Sequence, residues 1–370
     1  MTDRWHLQIT PPSHPAGAQE IWGAATIEGV TGSPGDSPAT TTISGAFVSP
    51  LMCDTHTHGR MGHPVSDSID TLRELVTVTA AGGVGRSHLS TVTLSPADIH
   101  ATLNAARELM SSEDSVIGVH LEGPFLSADK RGAHPEDLLR EGTLQSVQEL
   151  VGDYQDVVSA ITLDPLSVEE GVIEWSVEQG ITVALGHTMA TFEDALRGFR
   201  AGATVLTHAF NAMRGISARE PGPVMAALEA GAWIEVISDG HHVHPALVKF
   251  LGDAAPEKLL LVTDSMPAAG VGDGSYQLGE LAVTVHDGVA RTSEGSLAGS
   301  TLSLDQAAAH TVSAGVPAEV ALAAATTHPL RAYGQPVPTI AVGEPANLLV
   351  WSDQMRLTHM IRKGHVTSLG

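Results

Sequence analysis

Eight strand-like apolar runs follow one another from about residue 48, and helix-length segments separate them. Strand-like runs that alternate with helical segments are typical of βαβ units around a parallel sheet. The eight repeats predict a (β/α)8 barrel of the TIM type, in which reactive groups lie at the carboxyl ends of the strands. The predicted strands end near Cys53, Val92, Glu122, Leu163, His187, His208, Ser238 and Asp264.

The two ends of the chain have a different texture from the barrel repeats. Short apolar pieces separated by turn-forming residues occupy the N-terminal part, and strand-like runs return after residue 345. A hairpin with Asp287 and Gly288 as its turn is predicted from Tyr276 to Thr292. We therefore expect an α/β protein with a small β-sandwich domain built from residues 1–47, 275–295 and 340–370. The barrel is expected to comprise residues 48–274 and 296–339, with one helix over residues 136–151.

The charge balance restricts the possible partners. The formal net charge is -23, which argues against nucleic acid or an anionic membrane, because both bind through Lys and Arg. A small anionic substrate stays possible, since a local site can oppose the global sign. Cys53 is the only cysteine, so no intrachain disulfide can form. The N-terminus lacks the apolar core of a signal peptide, and we expect a cytoplasmic protein.

The segment from Asp54 to Gly59 follows a buried strand-like run and contains two histidines, His56 and His58. On a strand, side chains at i and i+2 point to the same face. The two imidazoles can therefore lie side by side just beyond the strand end, where imidazole is a common ligand for zinc. With 19 histidines in the chain, such a pair alone could arise by chance.

Four later strand ends carry residues of the same chemical kind, namely Glu122, His187, His208 and Asp264. Each alone could be a core histidine, a salt-bridge carboxylate or a helix cap. Because all of them fall at one rim of the predicted barrel, we interpret them together as a metal site. The absence of a thiol ligand argues against a structural zinc site of the cysteine type.

The predicted ligand set suggests a hydrolytic chemistry. His56, His58, Glu122, His187 and His208 are the predicted ligands of one or two divalent metal ions, with Zn²⁺ favoured over Fe²⁺, Mn²⁺ or Co²⁺. Such a metal polarises a carbonyl and lowers the pKa of a bound water. Asp264 is the predicted general base toward that water and the acid toward the leaving group.

Seven ordered motifs resemble the N-acetylglucosamine-6-phosphate deacetylase family of the amidohydrolase superfamily, from about residue 45 to the C-terminus. The most discriminating are His-Leu-Glu-Gly-Pro at 120–124 and His-Ala-Phe-Asn-Ala-Met at 208–213. The others are Asp-Thr-His-Thr-His-Gly at 54–59, Gly-His-Thr at 186–188, Ser-Asp-Gly-His-His-Val at 238–243, Val-Thr-Asp-Ser-Met at 262–266 and Gly-Ser-Leu-Ala-Gly-Ser at 295–300.

This resemblance implies a metal-dependent deacetylase of N-acetyl-D-glucosamine 6-phosphate that acts in amino-sugar catabolism or cell-wall recycling. It implies Glu122, His187 and His208 as ligands of the main metal, and the presence of His56 and His58 favours a second metal. Asp264 matches the catalytic acid/base, and His134 matches a residue that polarises the acetamide carbonyl. Other residues matched to substrate binding are Ala133, Asn211, Ala212, His242, Leu297, Ala298, Gly299 and Ser300.

The resemblance also implies a homodimer in which Arg219 reaches the phosphate in the neighbouring active site. An arginine fork suits a phosphate, although without the resemblance an ordinary surface arginine would be the simpler interpretation. Lys130 and Arg131 are candidates for a basic lid, and a solvated loop is an equally good interpretation. The role of the loop at residues 60–64 is left open.

Three alternative functions share parts of this pattern. A related amidohydrolase could deacetylate N-acetylgalactosamine 6-phosphate or an N-acyl amino acid. A metal-dependent deaminase would share the fold, but the motifs around Asn211 and Arg219 favour a sugar phosphate. A non-catalytic scaffold is disfavoured, because such proteins lose metal ligands or the acid/base and none is missing here.

Overall fold

The computed structural model describes residues 4–12, 19–30 and 41–369. The chain divides into two compact units, one of residues 1–53 and 336–370 and one of residues 54–335. The barrel boundaries therefore differ by several residues from the expected 48 and 339. Among the described helices, none has the length and apolar character needed to cross a membrane.

An eight-stranded parallel sheet confirms the predicted barrel. Each strand pairs with the next along the chain, from the first to the eighth. Beyond the strand ends, the main chain of His58 donates to Ser265 O at 2.8 Å, and that of Asp264 donates to His56 O at 2.8 Å. These bonds bring the first and last strand ends together. The strands are Met52–Asp54, Val84–Thr91, Val116–Glu122, Val158–Leu163, Thr182–Leu185, Val205–Leu206, Trp233–Val236 and Leu259–Leu261.

Helices connect successive strands, and several begin at a side-chain cap. Ser68 and Ser95 each accept a hydrogen bond from the main chain three residues later, and Thr191 forms a capping box with Asp194. The described α-helices are Ile69–Ala81, Pro96–Met110, Leu144–Val151, Val172–Glu178, Phe192–Arg200, Gly222–Ala230, Pro245–Ala254, Leu304–Ser313, Ala318–Ala325 and Thr327–Ala332.

The helix expected over residues 136–151 is shorter than predicted. Only Leu144–Val151 is α-helical, and Glu136–Leu138 forms a separate 3₁₀ turn. Thr143 caps the helix by accepting from the main chain of Ser146 at 3.0 Å. The main-chain N–H of Gly142 donates to the Ser167 carbonyl at 2.8 Å. The chain just before the cap therefore hydrogen-bonds to another segment and does not continue the helix.

The predicted hairpin forms, but it does not join the terminal domain as expected. Three antiparallel strands, Gly274–Leu278, Leu281–His286 and Val289–Thr292, lie within the unit of residues 54–335. Asp287 and Gly288 form the turn with positive φ angles of 50° and 74°. The assignment of residues 275–295 to the sandwich is therefore wrong, because the apolar face of this sheet packs on Val92, Met266, Ala268 and Ala298 of the barrel rim.

The unit built from both termini contains two four-stranded sheets with one shared apolar core. The first sheet contains Trp5–Ile9, Gln19–Gly23, Ile27–Val30 and Thr41–Gly45, and the second contains Phe47–Pro50, Leu348–Trp351, Leu357–Arg362 and His365–Ser368. Trp5, Leu7 and Ile21 from the first sheet pack in one cluster with Leu348 and Ile361 from the second. This arrangement confirms the predicted β-sandwich of the two termini.

Candidate active site

A cavity of about 390 Å³ lies at the carboxyl ends of the barrel strands. Most of the predicted site residues line it, together with Val92, Asp129, Lys130, Gly132, Phe210, Leu278 and Ser296. The predicted residues on its wall are His58, Glu122, Ala133, His134, His187, His208, Asn211, Ala212, His242, Asp264, Leu297 and Gly299.

Glu122 lies at the centre of the cavity floor. Its Oε1 atom is 3.2 Å from His187 Nε2 and 3.0 Å from His208 Nε2. Its Oε2 atom is 3.2 Å from His58 Nε2 and 3.3 Å from His134 Nε2. One buried carboxylate thus contacts ligand-type residues from three other strand ends.

Two buried groups of potential metal ligands share this floor. One consists of Glu122, His187 and His208, and the other of His56, His58 and Asp264. Within each group the ligand atoms lie within 4.8 Å of one another. The Nε2 atoms of His187 and His208 are 3.1 Å apart, which is close to the spacing of two nitrogens that share a tetrahedral zinc ion with bonds of about 2.0 Å.

The orientations of the histidine rings also fit a cation. His58 Nδ1 donates to the Ser90 carbonyl at 3.0 Å, and His187 Nδ1 donates to the Lys130 carbonyl at 2.8 Å. In neutral rings the Nε2 lone pairs then face the carboxylate of Glu122, which cannot donate a proton. Lone pairs that converge on an anion need positive charge between them, and a divalent metal supplies it.

The pKa shifts on the floor also show that its carboxylates favour positive charge nearby. Burial lowers the pKa of His58, but hydrogen bonds to Asp264 and Glu122 outweigh burial and raise it to about 9. Burial raises the pKa of Asp264, yet its bond to His58 and the charge of His56 bring it down to about 2. Asp264 is therefore a carboxylate at neutral pH, as a general base must be.

His134 is a neutral hydrogen-bond donor toward the cavity. Burial lowers its pKa to about 4 despite the bond to Glu122. Its Nδ1 accepts from the main-chain N–H of Thr93 at 3.1 Å, so in the neutral ring the proton resides on Nε2, the atom that faces the floor. This tautomer can donate to a carbonyl oxygen held between His134 and the metal groups.

Three strand-end residues adopt the left-handed backbone conformation. The φ angles are 48° at His187, 25° at His208 and 47° at Asp264. Non-glycine residues adopt positive φ at an energetic cost, and such strain is concentrated at functional sites. The strand ends are thus bent so that each side chain turns into the cavity.

The rim differs from the floor in how well the predicted residues converge. His242 lines the cavity, and its Nδ1 lies 2.7 Å from Asp239 Oδ2. Ala298 and Ser300 are buried behind the wall, where Ser300 donates from its main chain to Asp264 O at 2.7 Å. Gly299 comes so close that a Cβ there would lie 2.9 Å from Asp264 O. Of the predicted loop, only Leu297 and Gly299 line the cavity.

Besides Ala298 and Ser300, two further predicted residues do not line the cavity. His56 is fully buried beneath the wall, with Nε2 3.4 Å from Glu122 Oε1 and 3.7 Å from Asp264 Oδ1. Arg219 is exposed and does not line the cavity of its own chain. That Arg219 serves a neighbouring subunit stays a prediction.

Sequence reasoning missed the residues that hold the ligands in place. Glu235, in the buried strand Trp233–Val236, lies 3.2 Å from His56 Nδ1, and Thr93 and Ser90 anchor His134 and His58. A signal for Glu235 was present in the sequence, because a carboxylate inside an apolar run needs a partner.

Comparison with known proteins places these features in a family. The amidohydrolase family model matches residues 47–367. The N-acetylgalactosamine-6-phosphate deacetylase of Escherichia coli O157:H7 is 39% identical over 294 residues, covering 77% of this chain and 78% of that protein. The N-acetylglucosamine-6-phosphate deacetylase of Bos taurus is 34% identical over 334 residues, covering 85% of this chain and 81% of that protein.

A solved structure agrees over the whole chain. It is a mutant N-acetyl-D-glucosamine-6-phosphate deacetylase from Mycobacterium smegmatis in complex with N-acetyl-D-glucosamine 6-phosphate, with a TM-score of 0.89 and 32% identity. The match covers 99% of this chain and 100% of that one. The predicted resemblance is therefore confirmed, and the chain belongs to the amidohydrolase family, in the group that contains the N-acetylglucosamine-6-phosphate deacetylases.

Proposed function

We propose that this protein hydrolyses the acetamide of N-acetyl-D-glucosamine 6-phosphate to glucosamine 6-phosphate and acetate. The observation that carries the proposal is the floor of the cavity, where Glu122 joins two metal-ligand groups beside the ionised Asp264 and the neutral His134. The solved relative that binds this sugar phosphate has the same fold over nearly the full chain. The cytoplasmic location and the homodimer stay predictions.

The chain provides its own acid, base and oxyanion donor around the metal groups. Zinc, or another divalent metal held by His56, His58, Glu122, His187 and His208, would polarise the acetamide carbonyl and acidify a water. Asp264 takes the proton from the attacking water and returns it to the departing amine nitrogen. The Nε2–H of His134 donates to the carbonyl oxygen as negative charge develops there.

The rim supplies the groups that orient the sugar phosphate. His242 is held by Asp239, and Asn211 lies on the wall beside Ala212. In the proposed dimer, Arg219 of one subunit pairs with the phosphate bound in the other. In a chain with a net charge of -23, such local cations are needed to hold a phosphate.

A second candidate substrate is N-acetylgalactosamine 6-phosphate. The observation that favours it is the 39% identity to the Escherichia coli O157:H7 deacetylase of that sugar. The two substrates differ in the configuration of one hydroxyl, so the same floor could hydrolyse either acetamide. The choice therefore depends on the rim.

The test measures acetate release from four substrates with one metal-analysed preparation. The substrates are the two epimeric N-acetylhexosamine 6-phosphates, unphosphorylated N-acetylglucosamine and an N-acetyl amino acid, with Asp264→Asn as the control for contaminating activity. We expect the highest kcat/KM on N-acetyl-D-glucosamine 6-phosphate. Preference for the galactosamine epimer would establish the second candidate, and turnover of the amino acid without a phosphate requirement would contradict both.

A further inference from the structure

Glu235 is a buried carboxylate for which the proposed reaction assigns no role. It lies in the seventh barrel strand between Ile234 and Val236 and is 1% exposed. A carboxylate removed from water this completely destabilises a fold unless charged or hydrogen-bonded partners compensate. Its partners therefore indicate why the strand carries it.

One oxygen of Glu235 contacts one residue from each metal-ligand group. Oε2 is 3.2 Å from the Nδ1 atom of His56 and accepts from the main-chain N–H of His208 at 3.3 Å. The other oxygen, Oε1, accepts from the hydroxyl of Tyr333 at 3.3 Å. His208 is also one of the residues with a left-handed backbone, so this bond helps to hold a strained ligand in place.

The bond to Glu235 determines the tautomer of His56. A carboxylate only accepts, so Nδ1 carries a proton, and in the neutral ring that binds a metal Nε2 presents its lone pair. That Nε2 atom is buried and has no hydrogen-bond partner among the described residues. It is aimed at the floor, at 3.4 Å from Glu122 Oε1 and 3.7 Å from Asp264 Oδ1.

His56 differs from the other anchored ligands in the charge of its partner. The Nδ1 atoms of His58 and His187 donate to neutral carbonyls of Ser90 and Lys130, whereas that of His56 faces an anion. A carboxylate partner makes an imidazole a stronger electron donor to a metal and limits its rotation. The side chain of a ligand in the His56–His58–Asp264 group therefore depends on Glu235, whereas the other group contacts Glu235 only through the main chain of His208.

We propose that Glu235 is a positioning residue that orients His56 and thereby allows the His56–His58–Asp264 group to hold a second metal ion. This inference rests on the proposed function only because both place metal ions in the same cavity. Glu235 itself lies behind His56 and touches neither substrate nor reacting atoms in this scheme. Its loss should weaken the second metal more than the first, because Glu235 contacts the Glu122–His187–His208 group only through the main-chain N–H of His208.

The test is a metal titration of the chelator-stripped, full-length protein with Co²⁺, followed by absorbance and by elemental analysis. We expect the wild type to bind two equivalents. Glu235→Gln should bind the first with unchanged affinity and the second roughly 10- to 100-fold more weakly, and Glu235→Ala should lose the second further. Tyr333→Phe is the matched control, because it removes a hydrogen bond of the same carboxylate but leaves Oε2 against His56, and it should keep both equivalents.

The outcomes separate this inference from the proposed function. Wild-type binding of only one equivalent, or wild-type affinity for both in a folded Glu235→Gln, would overturn the positioning role. Circular dichroism checks the fold, and if Glu235→Ala does not fold, the isosteric glutamine variant decides. If the wild type binds two metals and Glu235→Gln loses one, while neither sugar phosphate releases acetate, the inference stands and the proposed function fails.

Discussion

The floor and the rim of the cavity are built in different ways. On the floor, His56, Glu122 and Asp264 are almost fully buried and are connected by contacts of 3.0–3.7 Å to neighbouring ligand-type groups. On the rim, Asn211 and His242 lie on loops and are partly exposed, and Arg219 is exposed altogether. In the proposed function, the buried floor carries out the reaction at a metal and the rim binds the substrate. Changes on the floor should affect turnover, and changes on the rim should affect binding.

The largest expected effect is that of Asp264→Asn. Asparagine keeps the shape and an oxygen ligand but cannot take a proton, so kcat should fall roughly 100- to 10,000-fold. Metal content and substrate affinity should be largely retained, which isothermal titration and elemental analysis would check. Turnover near the wild-type rate would refute the role of general base.

The next effect concerns His134, the proposed donor toward the carbonyl oxygen. His134→Phe removes the Nε2–H, and kcat should fall roughly 100- to 1,000-fold, as for the loss of one oxyanion donor. Steady-state kinetics would separate kcat from KM, with Thr93→Val as a control that removes only the hydroxyl bond to Nδ1. A change confined to KM would mean that His134 contributes to substrate binding and not to turnover.

A third effect tests how the interior below the floor responds to acid. Burial lowers the pKa of His88 from 6.5 to about 4, and its Nδ1 donates to Thr55 O at 3.0 Å. The unfolded chain therefore binds a proton first, so stability is lost as the pH falls from about 6.5 to about 4, by about 3 kcal/mol from this group. His88→Gln should show a correspondingly smaller loss in urea unfolding over that range. Parallel pH profiles for the two proteins would contradict this.

The smallest expected effect lies on the rim. Arg219→Ala should raise KM for the sugar phosphate roughly 10- to 100-fold, as expected for a lost charge-assisted hydrogen bond, with little change in kcat. Turnover of the unphosphorylated sugar should be unaffected. Mixing this variant with one inactivated at Asp264 tests the neighbouring-subunit arrangement, because a hybrid dimer would regain a complete site. Equal effects on both sugars would exclude a phosphate contact.

The sequence predicted the floor better than the rim for a physical reason. Residues such as His56, Glu122 and Asp264 follow apolar strands whose ends must meet in a barrel, so the pattern along the chain implies their convergence. Glu235 was missed because its partner depends on the neighbouring strand and on side-chain direction. The loop contacts of His242 and Leu297 came only from the resemblance, since loop conformation has no comparable periodicity.

The fold shows the same division. The barrel strands and the turn at Asp287 were predicted from local patterns. The domain to which that hairpin belongs was not predicted correctly, because its apolar face could pack on any exposed apolar surface of similar size. The hairpin sequence does not indicate whether its apolar face packs on the barrel rim, where Met266 lies, or on the core of the terminal sandwich. Likewise, the early part of the expected 136–151 helix was lost to a bond between Gly142 and Ser167, which are distant in the chain.

The segment that carries Ala128–Lys130 and His134 has a consequence for how the cavity opens. It forms part of the wall, yet the Lys130 carbonyl is also the acceptor that orients His187. Swinging this segment outward to admit a solute would withdraw that acceptor and free the imidazole to rotate. Substrate entry at this side would therefore weaken the hold of His187 on the proposed metal ion.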